Sequence, residues 1–465
     1  MSGTFTGINT AIGALQAQQA ALNTLSHNIA NANTPGYKRQ RAILGEGNPM
    51  TGPLTTGQNS RVLIGSGVHV EEIQRVQDDF VDNRVRLTSG LAAEWSAKSD
   101  ILSQVESVFN EPSEQGIASQ LDKFWSAWDK LSAQPEDLPT RKALIEQAQS
   151  LTVQIRQSYS QLKGMADDVD SSVRNDVTQI NSLTSQIAEL NSKINWSSSS
   201  SVSPNDLLDQ RDLLVGQLTS LAGVEVSGKG GQDFMVTLGN KVLVQGVHAD
   251  QLAVRLDSNG MQEVYSVSTG ESRPIPGGEI AGLMDVRGQA IPGFMSALND
   301  LVSALCTQVN TIHGNGYTLG GATGGDFFDP NTTAANFEVS DDILASPSNV
   351  AASGTGKVGD NSTALSIAGL RTRTLVNGQT INQVYQMVVS EAGTQSALAK
   401  HYADTQTLTL EQCTAQQQSV SGVSLDEEMT DMVRFQQAYN AAARVLTTCD
   451  EMLSVLIQNT GIVGR

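Results

Sequence analysis

The side chains able to do chemistry in this 465-residue chain are few and scattered. Two adjacent carboxylate pairs, Asp341-Asp342 and Glu427-Glu428, have the residue types of a glycosidase acid and nucleophile. Yet Asp426, Glu427 and Glu428 open a helical pattern, where the backbone dipole favours negative charge, and Asp341-Asp342 stand just before Ile343-Leu344 in the same way. Both pairs read as helix starts. The five histidines, His27, His69, His248, His313 and His401, never pair at metal-binding spacing, and Cys306, Cys413 and Cys449 lie far apart with no Cys-x-x-Cys. The cysteines read as small buried hydrophobes. A glycine-rich run at 314–325 follows a helix, whereas a phosphate cradle follows a strand and opens a helix, so it reads as a flexible loop. No catalytic residue, cofactor or metal is expected.

The elements around these residues point to assembly. Charged residues make up 17% of the chain and aromatics only 5%, which suits an elongated molecule better than a compact one with a deep pocket. The formal charge of −19, without a lysine or arginine run, repels phosphate backbones and anionic lipid, so neither nucleic acid nor membrane is an expected partner. Residues 1–14 lack the basic and apolar regions of a secretory signal, and no apolar run approaches a membrane-spanning length.

Residues 4–32 form the first helical pattern, with Phe5, Ile8, Ile12, Leu15, Leu22 and Ile29 stepping by three and four, an a/d seam. Asn31, Asn33, Pro35 and Gly36 end it. An extended or loop stretch follows at 44–66. The last pattern, 425–457, carries Leu425, Phe435, Tyr439, Leu446, Leu453, Leu456 and Ile457, and its apolar stripe widens beyond one seam. A second partner is expected for the extra width, within the chain or from a neighbour. Between them lie helices at 82–109, 117–131, 282–313 and, longest, 140–194, a rod of about 80 Å. A five-serine tract at 197–201 reads as a flexible joint, a helix follows to Leu221, and short strands separated by turn residues fill 224–267.

The expected fold is mainly α with an inserted β-rich domain. It is an elongated multidomain chain, with terminal coiled-coil helices from both ends and a long-helix bundle. Residues 1–80 and 411–465 would form an inner axial core, 81–202 and 280–410 the α-helical bundle, and 203–279 an outer β-rich domain dispensable for assembly.

Two motifs carry a resemblance. Ser26-His27-Asn28-Ile29-Ala30-Asn31-Ala32-Asn33-Thr34-Pro35-Gly36-Tyr37-Lys38 resembles the N-terminal signature of flagellar axial proteins, and Ser419-Val420-Ser421-Gly422-Val423-Ser424-Leu425-Asp426-Glu427-Glu428 with Phe435-Gln436-Gln437-Ala438-Tyr439 resembles the C-terminal one. Within that group, Leu207-Leu208-Asp209-Gln210-Arg211-Asp212-Leu213-Leu214 and Gly325-Asp326-Phe327-Phe328 are most similar to the hook-associated FlgK family. The resemblance implies a structural subunit at the hook–filament junction, not an enzyme. It implies self-association into a ring or helical layer, contact with the hook protein and a second junction protein, and an export chaperone on the C-terminal helix. Export would proceed without a cleaved signal peptide, to the extracellular flagellum. Asn28, Asn31, Asn33, Pro35, Gly36 and Tyr37 are candidate assembly residues, together with the apolar residues of both terminal helices. The alternatives are a hook or rod subunit, or an axial frame carrying an adhesin or hydrolase activity.

Overall fold

The computed structural model describes residues 2–48, 50–53, 61–199, 203–258, 260–374 and 378–460, with backbone alone at 2–6, 50–53, 61–64, 198, 456, 459 and 460. The chain begins with α1 (Ser2–Ala30), then two antiparallel pairs: β1 (Gln40–Glu46) with β4 (Val68–Arg75), and β2 (Met50–Pro53) with β3 (Arg61–Ile64). Helices α2 (Asp79–Phe109), α3 (Ile117–Ala133), α4 (Leu138–Ser199) and α5 (Asn205–Ala222) follow. Next come β5 (Glu225–Ser227), β6 (Met235–Leu238), β7 (Lys241–Gln245) and β8 (His248–Ala249), an antiparallel sheet in chain order, and the pair β9 (Leu252–Leu256) and β10 (Gln262–Ser266). Helices α6 (Gly278–Asp285), α7 (Ile291–Gly314), α8 (Asp341–Ala345), α9 (Ser362–Ala368), α10 (Ile381–Ser421) and α11 (Leu425–Thr460) complete it. The helical frame with an intervening run of small sheets agrees with the expectation.

The trunk is built around α4, whose 62 residues form the long rod. Its N-terminal half buries Leu144, Leu151, Ile155 and Leu162; helices α3 and α7 pack on α4, and all belong to one apolar core. That core centres on fully buried aromatics: Phe124 and Trp128 of α3 meet Phe327 and Phe328 from the segment after α7 in tilted contacts of about 5–6 Å, with Trp125 against Phe124 and Phe337 against Phe328. Helices α6 and α7 are continuous through a π turn at 286–290, and Pro292 lies just beyond it. The wider turn relieves the clash between the proline ring and the preceding carbonyls.

The C-terminal half of α4 corrects one expectation. Val173, Val177, Ile180 and Ile187 are buried against α5, α6 and strands β7–β9, whose Val244 and Leu252 join the same core. The Asn181 amide bonds both the N–H and C=O of Leu252 at 2.8 Å, and Asn191 bonds the Gly246 carbonyl at 2.7 Å. Removing 203–279 would bare this apolar face of α4 to water, so the insert is part of the trunk's packing and not the separately cored unit expected. Serines 197–199, read as a joint, extend α4; residues 200–202 lie outside the described residues.

The glycine-rich run after α7 is likewise folded, and not the flexible loop expected. Nδ1 of His313 meets the Gly325 carbonyl at 2.6 Å, Nε2 accepts from the Ala351 N–H at 2.8 Å, and a Cβ at Gly324 would stand 2.2 Å from the His313 carbonyl. Burial drives His313 down to about 4, so it serves this loop as a neutral staple.

Candidate assembly hub

The two ends of the chain meet at the turn that follows α1. Asn31 donates its backbone and side-chain N–H groups to the His27 carbonyl, satisfying the helix end as expected of an asparagine there. Residues 34–37 then form a tight turn, closed by the Tyr37 N–H on the Thr34 carbonyl at 3.2 Å. Proline at its second position and Gly36 at its third, with φ +79°, are what a type II turn requires. Asn33, Pro35 and Gly36 are exposed on its rim.

Each residue after the turn reaches a different element. The Tyr37 hydroxyl donates to Asn28 Oδ1 at 2.8 Å; burial, then the charges of Asp206, Asp209 and Glu428, raise its pKa well above the usual tyrosine range. The Lys38 ammonium is buried between Asp82 of α2 (2.7 Å) and Asp212 of α5 (3.0 Å). Arg39 pairs with Glu427 (2.8 Å) and Glu428 (2.6 Å) of α11. Gln40 donates from its side chain to Asp206 at 2.8 Å, while its backbone N–H and C=O both bond the Asn28 amide.

Asn28 is the centre. It is fully buried and makes four bonds, the fourth from Nδ2 to Glu428 Oε2 at 2.9 Å across 400 residues of sequence. Glu428 is also fully buried. The helix-start reading of 426–428 holds, but it missed this second role; the signal was a carboxylate opening one helix opposite a Lys-Arg pair closing the turn after another.

Helix α5 supplies the acids that hold the turn to the trunk. Asp209 and Asp212, three apart and so on one face, both bind Arg75 of β4 (2.9 and 3.0 Å), and Asp209 accepts the Lys38 N–H. Burial alone would raise Asp212, but the Lys38 and Arg75 charges outweigh it and hold its carboxyl below the usual range. Burial dominates at Asp209, which is raised. Arg211 sits between them and points the other way, to Asn191 Oδ1, the Lys229 and Gly230 carbonyls and the Phe234 ring. One short helix thus fastens the chain ends on one side and the β strands on the other. Lys38, Arg75, Asp82, Asp209, Asp212 and Glu428 were not among the expected site residues.

The terminal helices pack antiparallel beyond the hub. A Cβ at Gly7 would lie 3.5 Å from Cys449 Sγ, and this contact stands 21 residues from the Asn28–Glu428 contact on each helix. Stepping by four and three between them passes through Ala11, Ala14, Gln18, Ala21 and Leu25 on α1, and Met432, Phe435, Tyr439, Ala442 and Leu446 on α11, all buried or half-buried. Leu453 continues the second row.

The seam on α1 is therefore one residue earlier than expected. Small side chains let the helices close, while Ile8, Ile12, Leu15, Leu22 and Ile29 form the stripe beside it, half-buried except Ile12, which is exposed. The extra width of α11 also lies outward: Met429, Val433, Val445, Met452, Val455 and Ile457 are each more than half exposed, as is Leu425. The side chain of Leu456 lies outside the described residues. Among the described residues, no group of three metal-ligating side chains occurs, and no helix is long and apolar enough to cross a membrane.

A chain whose first and last helices are clasped by one polar hub, with an apolar stripe of the last turned outward, has the build of an axial subunit of a larger assembly. The comparisons agree. Residues 8–38 match the family of flagella basal body rod proteins, and 416–459 the C-terminal region of flagellar basal body rod FlgEFG proteins. Residues 102–328 match the helical domain of flagellar hook-associated protein FlgK. Flagellar hook-associated protein 1 of Bacillus subtilis is 32% identical, with both chains covered completely, and its Escherichia coli counterpart is 28% identical over 97% of this chain and 99% of its own. The flagellar hook junction protein FlgK of Burkholderia pseudomallei has the same fold over 73% of this chain and all of its own, with a TM-score of 0.66 at 19% identity. This chain belongs to the hook-associated protein 1 (FlgK) family.

Proposed function

We propose that this molecule is the structural subunit that joins the flagellar hook to the filament, and that it works by assembly and not by catalysis. The observation that carries the reading is the outward apolar stripe on α11, with Ile12 exposed on α1, on a helix pair tied to the trunk by the hub. The full-length likeness to hook-associated relatives favours it over a hook or rod subunit.

In this reading 1–80 and 411–465 form the inner core, where copies associate into a ring or helical layer through Ile12 and its stripe and through the exposed residues of α11. The hook protein lies on one side and a second junction protein on the other. Before export an apolar cover on α11 is needed, which is the role of a chaperone, and the subunit then reaches the extracellular flagellum without a cleaved signal. Residues 81–202 and 280–410 form the trunk. For the β-rich part, assigned to 203–279, geometry favours 224–276: Gly223 and Gly277 touch, since a Cβ on the first would lie 2.9 Å from the second, so the module enters and leaves at one point. It carries the outer surface.

A strain lacking the chain tests the reading. Hooks should form normally while filament subunits are lost to the medium. Attached filaments of normal number would contradict it.

A further inference from the structure

We infer that Asn28 and Glu428 form a register lock, fixing the alignment of α1 on α11 where half of the seam, Gly7, Ala14 and Ala21, is too uniform to do so. The seam on α1 runs in two heptad rows: Gly7, Ala14 and Ala21 are all small, whereas Ala11, Gln18 and Leu25 differ in size. In the first row a seven-residue slide sets alanine where alanine or glycine stood, so that row interlocks little and specifies no register. In the second row the slide exchanges unlike side chains, which opposes it only through Gln18 and Leu25. A buried polar pair adds a stronger constraint, as when one buried asparagine fixes the alignment of a coiled coil.

The hub has the properties of such a device. Asn28 spends all four of its bonding positions, two on the Gln40 backbone, one on Tyr37 and one on Glu428. Because Lys38 and Gln40 are bonded to α2 and α5, α1 ends at a fixed point on the trunk. Glu428, fully buried, is met by Asn28 and by Arg39. A seven-residue slip would carry Asn28 about 10 Å away along the helix. Glu428 would then lose a partner in a place that water does not reach, which is the costly outcome for a buried charge. The lock holds whether or not the outward stripes are the assembly surface. If they are, it decides which residues of the two stripes lie side by side.

Cys449 gives the test, on the full chain with Cys306→Ala and Cys413→Ala so that it is the sole native thiol. Gly7→Cys places a thiol opposite Cys449 in the observed register. Ala14→Cys lies opposite Ala442 and reaches Cys449 only after a heptad slip. Under mild oxidation the first reporter should crosslink within the chain and the second should not. Introducing Asn28→Leu with Glu428→Leu, which keeps the site filled but apolar, should raise the Ala14→Cys crosslink at least tenfold. Glu428→Gln retains an acceptor for Asn28 and should keep the observed register. The proposal fails if the double leucine variant crosslinks only through Gly7→Cys, because register would then reside elsewhere. It fails equally if that variant loses both crosslinks, because the pair would be holding the helices together and not aligning them. Slippage in Glu428→Gln would also overturn it, by assigning the lock to the Arg39 charge.

Discussion

The trunk and the chain ends are built on opposite principles. The trunk buries large rings and branched side chains in one continuous core, and its polar contacts, such as His313 on Gly325 and Ala351, trim that core. The ends pack on small residues, hold themselves by buried charges and amides, and keep their large apolar side chains half-covered or outside. The trunk buries most of its large apolar side chains within the chain, with scattered exceptions such as Leu87, Trp196 and Val358. The ends do not, and an unsatisfied stripe on a helix pair that polar bonds already position is what an assembling subunit needs.

If this contrast is right, the largest single effect on stability comes from the trunk. Phe327→Ala removes a fully buried ring touching Phe124, Trp128, His313 and Phe328, and should cost about 4 kcal/mol in denaturant unfolding. A loss below about 1 kcal/mol would mean that the aromatic cluster does not organise the trunk.

Lys38→Met should cost somewhat less, about 3 kcal/mol, because it leaves the buried Asp82 carboxylate without a cation and takes one of two from Asp212. Its signature is the location. Amide exchange should quicken in α1 and at the start of α11 while the trunk amides stay protected; uniform quickening would erase the distinction between the regions.

Acid should act on the trunk through His313. Its folded value near 4 lies below the ordinary 6.5, so between these values the unfolded chain binds the extra proton. Its contribution is whole above pH 6.5 and is lost as pH falls toward 4, roughly 3 kcal/mol in all. His313→Gln should flatten that part of the trunk's stability profile; an unchanged slope would remove the staple from the account.

Gly36→Ala should have a smaller effect, about 1 kcal/mol, since its φ of +79° strains any side chain and Leu213 crowds the new methyl at 3.2 Å. Thermal unfolding in α1-sensitive probes reads it, and an increase in stability would contradict the turn geometry.

These regions also differed in how far the sequence revealed them. Large apolar side chains at helical spacing made the trunk legible: α3 and α4 lie within a few residues of expectation, and the strands 224–267 were placed. Where packing uses small residues the pattern fades. Helix α10, 41 residues long, was not recognised, because its buried face is Ala392, Ser396, Ala399, Cys413 and Ser421 between Tyr385 and its end. The same blindness moved the α1 seam by one residue, toward isoleucine and leucine and away from Gly7, Ala11 and Ala21. The hub's motif was conspicuous, but the partners of Lys38 and Arg39 were not, since Asp82, Asp212 and Glu428 lie 44, 174 and 389 positions away and no local pattern joins them.

The central claim is that the outward stripe of α11 exists for neighbours and not for the fold. Val445→Asp with Met452→Asp tests it, two changes at sites more than half exposed in the free chain. The purified variant should unfold within about 0.5 kcal/mol of the parent, as surface substitutions do. Returned to a strain lacking the protein, it should be exported yet leave hooks without filaments. Normal filaments on those hooks, or a variant whose trunk is destabilised, would contradict the account.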